Sequence, residues 1–174
     1  MAEAVAAGPR RAADMNPASL ARVIALLLPL ALLGGALGSQ YLGGLHPCEM
    51  CMWQRWPHAV AIVLALLAFT SPAESTRSRA LVLLAALAIA VSGCIGVYHA
   101  GVEAKIFEGF TQCTATGKDL KGAELLNQIV HETLYPCNEV QFRFLGISMA
   151  GWNAILSLGG ATLIIILTLR GRRG

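Results

Sequence analysis

Charge is scarce in this chain. Of its 174 residues 13% are Asp, Glu, Lys or Arg and 56% are apolar, a balance that excludes an ordinary soluble domain. The formal net charge is only +3, and no nucleic-acid partner is expected. Signals for metal and haem are missing too. The single C-x-x-C, Cys48 and Cys51, is not followed at short spacing by the second Cys or His pair that a structural zinc site with His46 and His58 would want. Met52 stands where covalent haem attachment needs a histidine. No metal is therefore expected.

What is present is apolar and continuous. About 20 residues at 1.5 Å rise cross a hydrocarbon core of roughly 30 Å, and four runs reach that length, at about 20–42, 48–70, 80–100 and 145–169. The second is purely apolar only from Pro57 to Thr70, about 21 Å of helix, and must recruit residues before Pro57. A helix beginning near Pro47, where proline is a start signal, supplies them. Pro57 then sits inside the helix and frees the carbonyl of Trp53, a cost that neighbours in a membrane bundle can offset. The expected fold is an all-α membrane protein, a bundle of four transmembrane helices.

Arg10, Arg11, Arg22, Arg77, Arg79, Arg170, Arg172 and Arg173 all fall on one side of these spans, which makes that side, and both termini, cytoplasmic. Residues 1–18 read as a disordered leader. Cleavage at Ala36-Leu37-Gly38 is disfavoured, because the apolar run before it is span-length and its removal would leave an odd number of helices. The long loop, 101–144, falls on the exterior side. Within it Leu125, Leu126, Ile129, Val130, Thr133 and Leu134 recur as neighbours every four residues, the pattern of a short helix on the membrane surface.

Topology gives the cysteines their meaning. Cys48, Cys51, Cys113 and Cys137 lie on the exterior side, where disulfides persist. Cys94, inside the third span, reads as a small buried apolar residue. Cys48, Cys51, Arg55 and His58 share one helical stripe. A cation there, with the positive end of the helix, favours the thiolate that attacks disulfides and donates electrons. A purely structural Cys48–Cys51 bridge would constrain little chain and leave Arg55 unexplained. Cys113 and Cys137, 24 residues apart, suit a disulfide loop; a structural bridge is the default on spacing alone, and the second exterior dithiol makes exchange between pairs possible. Arg55 is an ionisable group at membrane depth and so a functional candidate, set against an arginine that snorkels to headgroups. Tyr98 and His99 lie near the outer end of the third span and could line a site there. His58 reads as a hydrogen-bonded packing residue, and Trp53, Trp56 and Trp152 as interfacial belts.

Four pieces in order resemble the bacterial disulfide bond formation protein B (DsbB) family: Pro47-Cys48-Glu49-Met50-Cys51 with Arg55; Gly96 to Glu103; the loop pair Cys113 and Cys137; and Phe144 to Asn153. The resemblance implies an inner-membrane, disulfide-generating oxidoreductase that reoxidises a periplasmic DsbA-like thiol oxidase and reduces membrane quinone, ubiquinone or menaquinone. It implies redox disulfides Cys48–Cys51 and Cys113–Cys137. Cys113 would form the mixed disulfide with the partner. Cys48 and Cys51 would accept the electrons, with Cys51 facing the quinone, and Arg55, with His99 beside it, would contact the quinone headgroup. Two other readings stand alongside: a vitamin K epoxide reductase-like thiol enzyme, which the position of the Cys113–Cys137 loop and the 148–153 segment disfavour, and a non-enzymatic scaffold with stapled loops.

Overall fold

A computed structural model describes residues 16–109 and 136–171. Its elements are α1 (Pro17–Tyr41), α2 (Glu49–Ala68), α3 (Thr76–Glu103), a hairpin of β1 (Arg143–Phe144) and β2 (Ile147–Ser148), and α4 (Met149–Arg170). The proposed leader up to residue 15, the expected surface helix and Cys113 lie outside the described residues.

Each helix starts on a side chain that accepts from an otherwise unpaired N–H. Asn16 accepts from Ser19, with Pro17 in the first turn of α1. Ser75 accepts from Ser78 and Ser148 from Gly151. For α2 the cap is Cys48 itself, whose sulfur accepts from the Cys51 amide at 3.2 Å. The helix therefore starts at Glu49 rather than at Pro47, because Cys48 is held extended to make that bond. It runs unbroken through Pro57 for 20 residues, about 30 Å, so the polar turns before Pro57 do complete the span. Helices α1, α3 and α4 are each long and apolar enough to cross a membrane on their own. With α2 they form a four-helix membrane bundle, and the chain is a multi-pass membrane protein.

The helix boundaries differ from the expected ones by a few residues: α1 begins at Pro17 and α3 at Thr76, ahead of Leu20 and Ala80, and the thiol ends of α3 and α4 are shifted as well. Helix α4 begins at Met149, not Leu145, because Arg143 to Ser148 close a hairpin in which Arg143 pairs with Ser148 and Phe144 with Ile147. The two turn residues, Leu145 and Gly146, have φ of 52° and 79°, the left-handed pair that a two-residue hairpin turn demands. Helix α3 continues three residues past Ala100 to Glu103, so His99 lies within the helix rather than at its frayed end.

The helices are arranged as a ring: α1 packs on α2 and α4, and α3 packs on α2 and α4. An alanine-rich core that includes Ala25, Ala61, Ala65, Ala85, Ala86 and Ala161 lets the backbones approach. At Gly96 a Cβ would meet the Ala150 carbonyl oxygen at 3.0 Å and the Ala154 nitrogen at 3.1 Å, so α3 and α4 need glycine there. The outward faces carry Leu27, Val60, Val63, Leu87, Ile155 and Leu163, as lipid-facing surfaces do.

Polar groups mark the two ends. At one, Arg22 donates to the carbonyls of Ala68 at 3.3 Å and Ser71 at 2.8 Å and lies over the Phe69 ring, Arg79 donates to Gly171 at 2.6 Å, and Asn16 bonds Glu74. The starts of α1 and α3 thus meet the ends of α2 and α4, and successive helices are antiparallel. Cys48, Cys51 and Cys137 gather at the other end.

Candidate functional site

The start of α2 places two thiols one turn apart. Cys48 is buried and Cys51 half-buried, and their sulfurs lie 2.8 Å apart as separate thiols. Cys137 is buried against them: it packs with Cys48, Met50 and Val102, and its side chain meets that of Cys48. Three of the four exterior cysteines are therefore in one cluster, although Cys137 is 86 residues beyond Cys51. Cys94 is not buried as expected. It is exposed on the outer face of α3, one position beside the buried stripe of Ser92, Gly93 and Gly96, because the helical period turns it toward lipid.

All four members of the predicted stripe, Cys48, Cys51, Arg55 and His58, line one cavity of about 310 Å³ between α1, α2 and α4. Arg55 crosses it to α1: one terminal nitrogen bonds the Gln40 side chain, and the other donates to the Ala36 carbonyl at 3.2 Å. Its Nε is buried without a hydrogen-bond partner among the described residues. His58 is a packing histidine, as expected. Its Nε2 lies 2.9 Å from Asn153 Oδ1 and 3.0 Å from Ser92 Oγ.

His99 also lines the cavity, and its Nε2 lies 3.6 Å from Cys48 Sγ. Tyr98 is elsewhere. It stacks on Phe107 at 5.5 Å and donates to the Glu108 carbonyl, which anchors the end of α3. Trp152 borders the cavity and donates to the Phe144 carbonyl at 3.0 Å, tying α4 to the hairpin.

Sequence reasoning missed a polar belt inside the bundle. Gln54 contacts His99 Nδ1 at 2.9 Å, Asn153 donates to Gln54 Oε1 at 2.8 Å, Ser92 donates to the Gln54 carbonyl at 2.8 Å, and Ser157 donates to Asn153 at 3.0 Å. The available signal was the presence of Gln54, Ser92 and Asn153 within apolar spans, where such groups must find partners.

Cys48, Cys51 and His99 offer three ligand atoms within 4.8 Å of one another, a set that could hold a soft cation. The hydrogen-bond pattern opposes this use of His99. Gln54 presents an N–H to Nδ1, so the neutral ring carries its hydrogen on Nε2, the atom that would have to ligate.

The sequence model of the family described as disulfide bond formation protein DsbB matches residues 18–167. The chain is 28% identical over 159 residues to the disulfide bond formation protein B of Azoarcus sp. strain BH72, covering 82% of this chain and 87% of that one. It is 28% identical over 158 residues to the disulfide bond formation protein B 1 of Pseudomonas fluorescens strain Pf0-1, covering 84% and 87%. The protein of the same name from Aromatoleum aromaticum is 26% identical over 146 residues, covering 82% and 87%. No solved structure matches the chain.

Proposed function

The chain belongs to the disulfide bond formation protein DsbB family, and from that premise we propose that it reoxidises a periplasmic DsbA-like thiol oxidase and passes the electrons to membrane quinone. The observation that carries the reading is Cys137 held against Cys48, beside the cavity that Cys51 and Arg55 line. A water-soluble dithiol and a lipid-soluble acceptor need one thiol pair open to solvent and one at membrane depth. Cys113–Cys137 and Cys48–Cys51 are the proposed pairs.

The exchange proceeds by thiolate attack on sulfur. A thiolate of the reduced partner attacks Cys113, the Cys113–Cys137 bond breaks, and Cys137 leaves as thiolate. Cys137 then attacks Cys48, against which it already packs. The Cys48–Cys51 bond breaks and its electron pair remains on Cys51 Sγ. The second thiol of the partner resolves the mixed disulfide and releases the oxidised partner and Cys113, whose thiolate then attacks Cys137 of the Cys137–Cys48 bond, re-forming Cys113–Cys137 and releasing Cys48 as thiolate. Arg55 stabilises negative charge beside Cys51.

The cavity suits a quinone ring. Its walls from α1 are mostly apolar, including Leu32 and Ala36, and the buried Nε of Arg55 has a hydrogen to give and no acceptor among the described residues. Arg55 would hold the headgroup from α2, with His99 at the thiol side. A quinone bound there supplies the two-electron acceptor. Ubiquinone and menaquinone both fit these features. The clustering of Arg22, Arg79 and the end of α4 at the opposite end of the bundle supports an inner-membrane orientation with that end cytoplasmic and the thiols periplasmic.

The test is reconstitution of the purified chain with a reduced DsbA-like substrate and either quinone. The expected result is partner-dependent quinone reduction; protein with all four cysteines intact that turns over neither quinone sinks the proposal. Trapping separates an enzyme from a stapled scaffold: Cys137→Ala should accumulate a mixed disulfide between Cys113 and the partner, and a scaffold would form none.

A further inference from the structure

The belt around Gln54 determines where His99 keeps its hydrogen. Gln54 Nε2 lies 3.2 Å from the Met50 carbonyl, which can only accept, so that atom is the amide nitrogen. Its oxygen accepts from Asn153 Nδ2, and that nitrogen is identified independently by the Ser92 carbonyl 3.2 Å away. The second hydrogen of the Gln54 amide therefore points at His99 Nδ1, 2.9 Å distant. A neutral ring that accepts at Nδ1 donates at Nε2. That N–H faces Cys48 Sγ at 3.6 Å, with Glu103 Oε1 at 3.9 Å, and the His99 side chain also meets the backbone of Cys137. Gln54, His99 and Cys48 are all buried, so these bonds are shielded from bulk solvent.

We propose that Gln54 is a positioning residue that fixes His99 as an Nε2–H donor to the thiolate of Cys48. The step concerned is an ionisation: the S–H bond of Cys48 breaks, the proton leaves for solvent, and the electron pair stays on sulfur. No electron is transferred. Cys48 must be a thiolate whenever it closes the disulfide with Cys51, and in that use the inference rests on the proposed exchange reaction. Among the described residues, the other titratable or charged groups that line this cavity or pack on the thiol cluster are Cys51, Arg55 and His58 on α2, Tyr98 and Glu103 on α3, and His46, Cys137 and Glu139 from the loops. None of these contacts His99 Nδ1, so Gln54 alone among the described residues sets the tautomer.

The test uses the full chain in lipid with Cys51, Cys94, Cys113 and Cys137 changed to Ser. Thiolate formation at Cys48 is followed against pH by ultraviolet absorbance, which needs no reagent access, and by iodoacetamide alkylation. His99→Ala should raise the midpoint by about one pH unit, a tenfold loss of thiolate at fixed pH below it. His99→Gln, whose amide can present an N–H near the position of Nε2, should recover part of that shift. Gln54→Leu should raise the midpoint by a smaller amount, since the ring is then free to carry its hydrogen on either nitrogen. An unmoved midpoint in His99→Ala overturns the donor role. A midpoint that moves in His99→Ala and stays put in Gln54→Leu overturns the positioning role. Should His99→Ala fail to fold, His99→Gln and Gln54→Leu decide: midpoints equal to the parent in both reject the proposal. Neither quinone nor partner takes part, so this outcome is independent of the reconstitution assay.

Discussion

Arg55 is a brace between helices and, in the proposed function, a quinone contact as well. Its terminal nitrogens are spent on Gln40 and the Ala36 carbonyl of α1, while its Nε is buried without a partner among the described residues. A snorkelling arginine would turn all of its nitrogens toward headgroups and water. Hydrogen bonds to charged groups contribute about 1.5–3 kcal/mol, so Arg55→Ala should raise the apparent quinone KM or lower turnover by about tenfold or more. Arg55→Lys should recover only part, because a lysine lacks the planar fork that reaches α1 and the cavity together. Quinone kinetics unchanged by Arg55→Ala would return the residue to a purely interfacial role. The sequence made Arg55 legible through the 48, 51, 55, 58 spacing. Gln54 was hidden by the same spacing, because it lies off that stripe and its importance depends on His99 and Asn153, 45 and 99 residues away.

At the scale of elements, α2 is the helix least suited to lipid and the one most tied to its neighbours. Asn153 on α4 bonds Gln54 and Ser92, and accepts at its oxygen from Ser157, with His58 alongside, joining α2, α3 and α4 in the bundle interior. Interhelical hydrogen bonds in membranes contribute about 0.6 kcal/mol each, with a maximum near 1.7. Asn153→Ala removes several, and should cost about 1–2 kcal/mol in reversible unfolding from mixed micelles; a loss below the measurement error would mean that water fills the belt. Gly96→Leu should be worse, since its side chain would enter the backbone of α4 at Ala150 and Ala154, and separated helices should show as lost thermal cooperativity. Three of the helices were readable from run length alone, whereas α2 also needed the polar turns before Pro57. The start of α4 was not, because Phe144-Leu145-Gly146-Ile147 is as apolar as a helix and only the left-handed backbone of Leu145 and Gly146 marks it as a hairpin.

For the whole molecule, the bundle places Arg22 and Arg79 at one end of its axis and the thiols at the other. Arg22 and Arg79 close one end by donating to carbonyls at the ends of α2 and α4, and the thiols gather at the other, where the Gln141 side chain donates to the His46 carbonyl at 2.6 Å. In a cysteine-free background, a thiol placed by Gln141→Cys should react with a membrane-impermeant maleimide in intact spheroplasts. One placed by Ser71→Cys should react only after the inner membrane is opened. The reverse pattern would invert the topology.

Hydrophobic run length, arginine placement and cysteine spacing are local properties, so the sequence by itself determined four spans, their alternation and a dithiol at the edge of the second. Other features depend on which helix faces which, and only the tertiary structure decided them. It turned Cys94 outward, brought Cys137 onto Cys48, and set His99 between Gln54 and the Cys48 sulfur. The hydrogen on His99 Nε2 follows from Met50, Asn153 and Ser92 acting through Gln54, a chain of partners drawn from three helices.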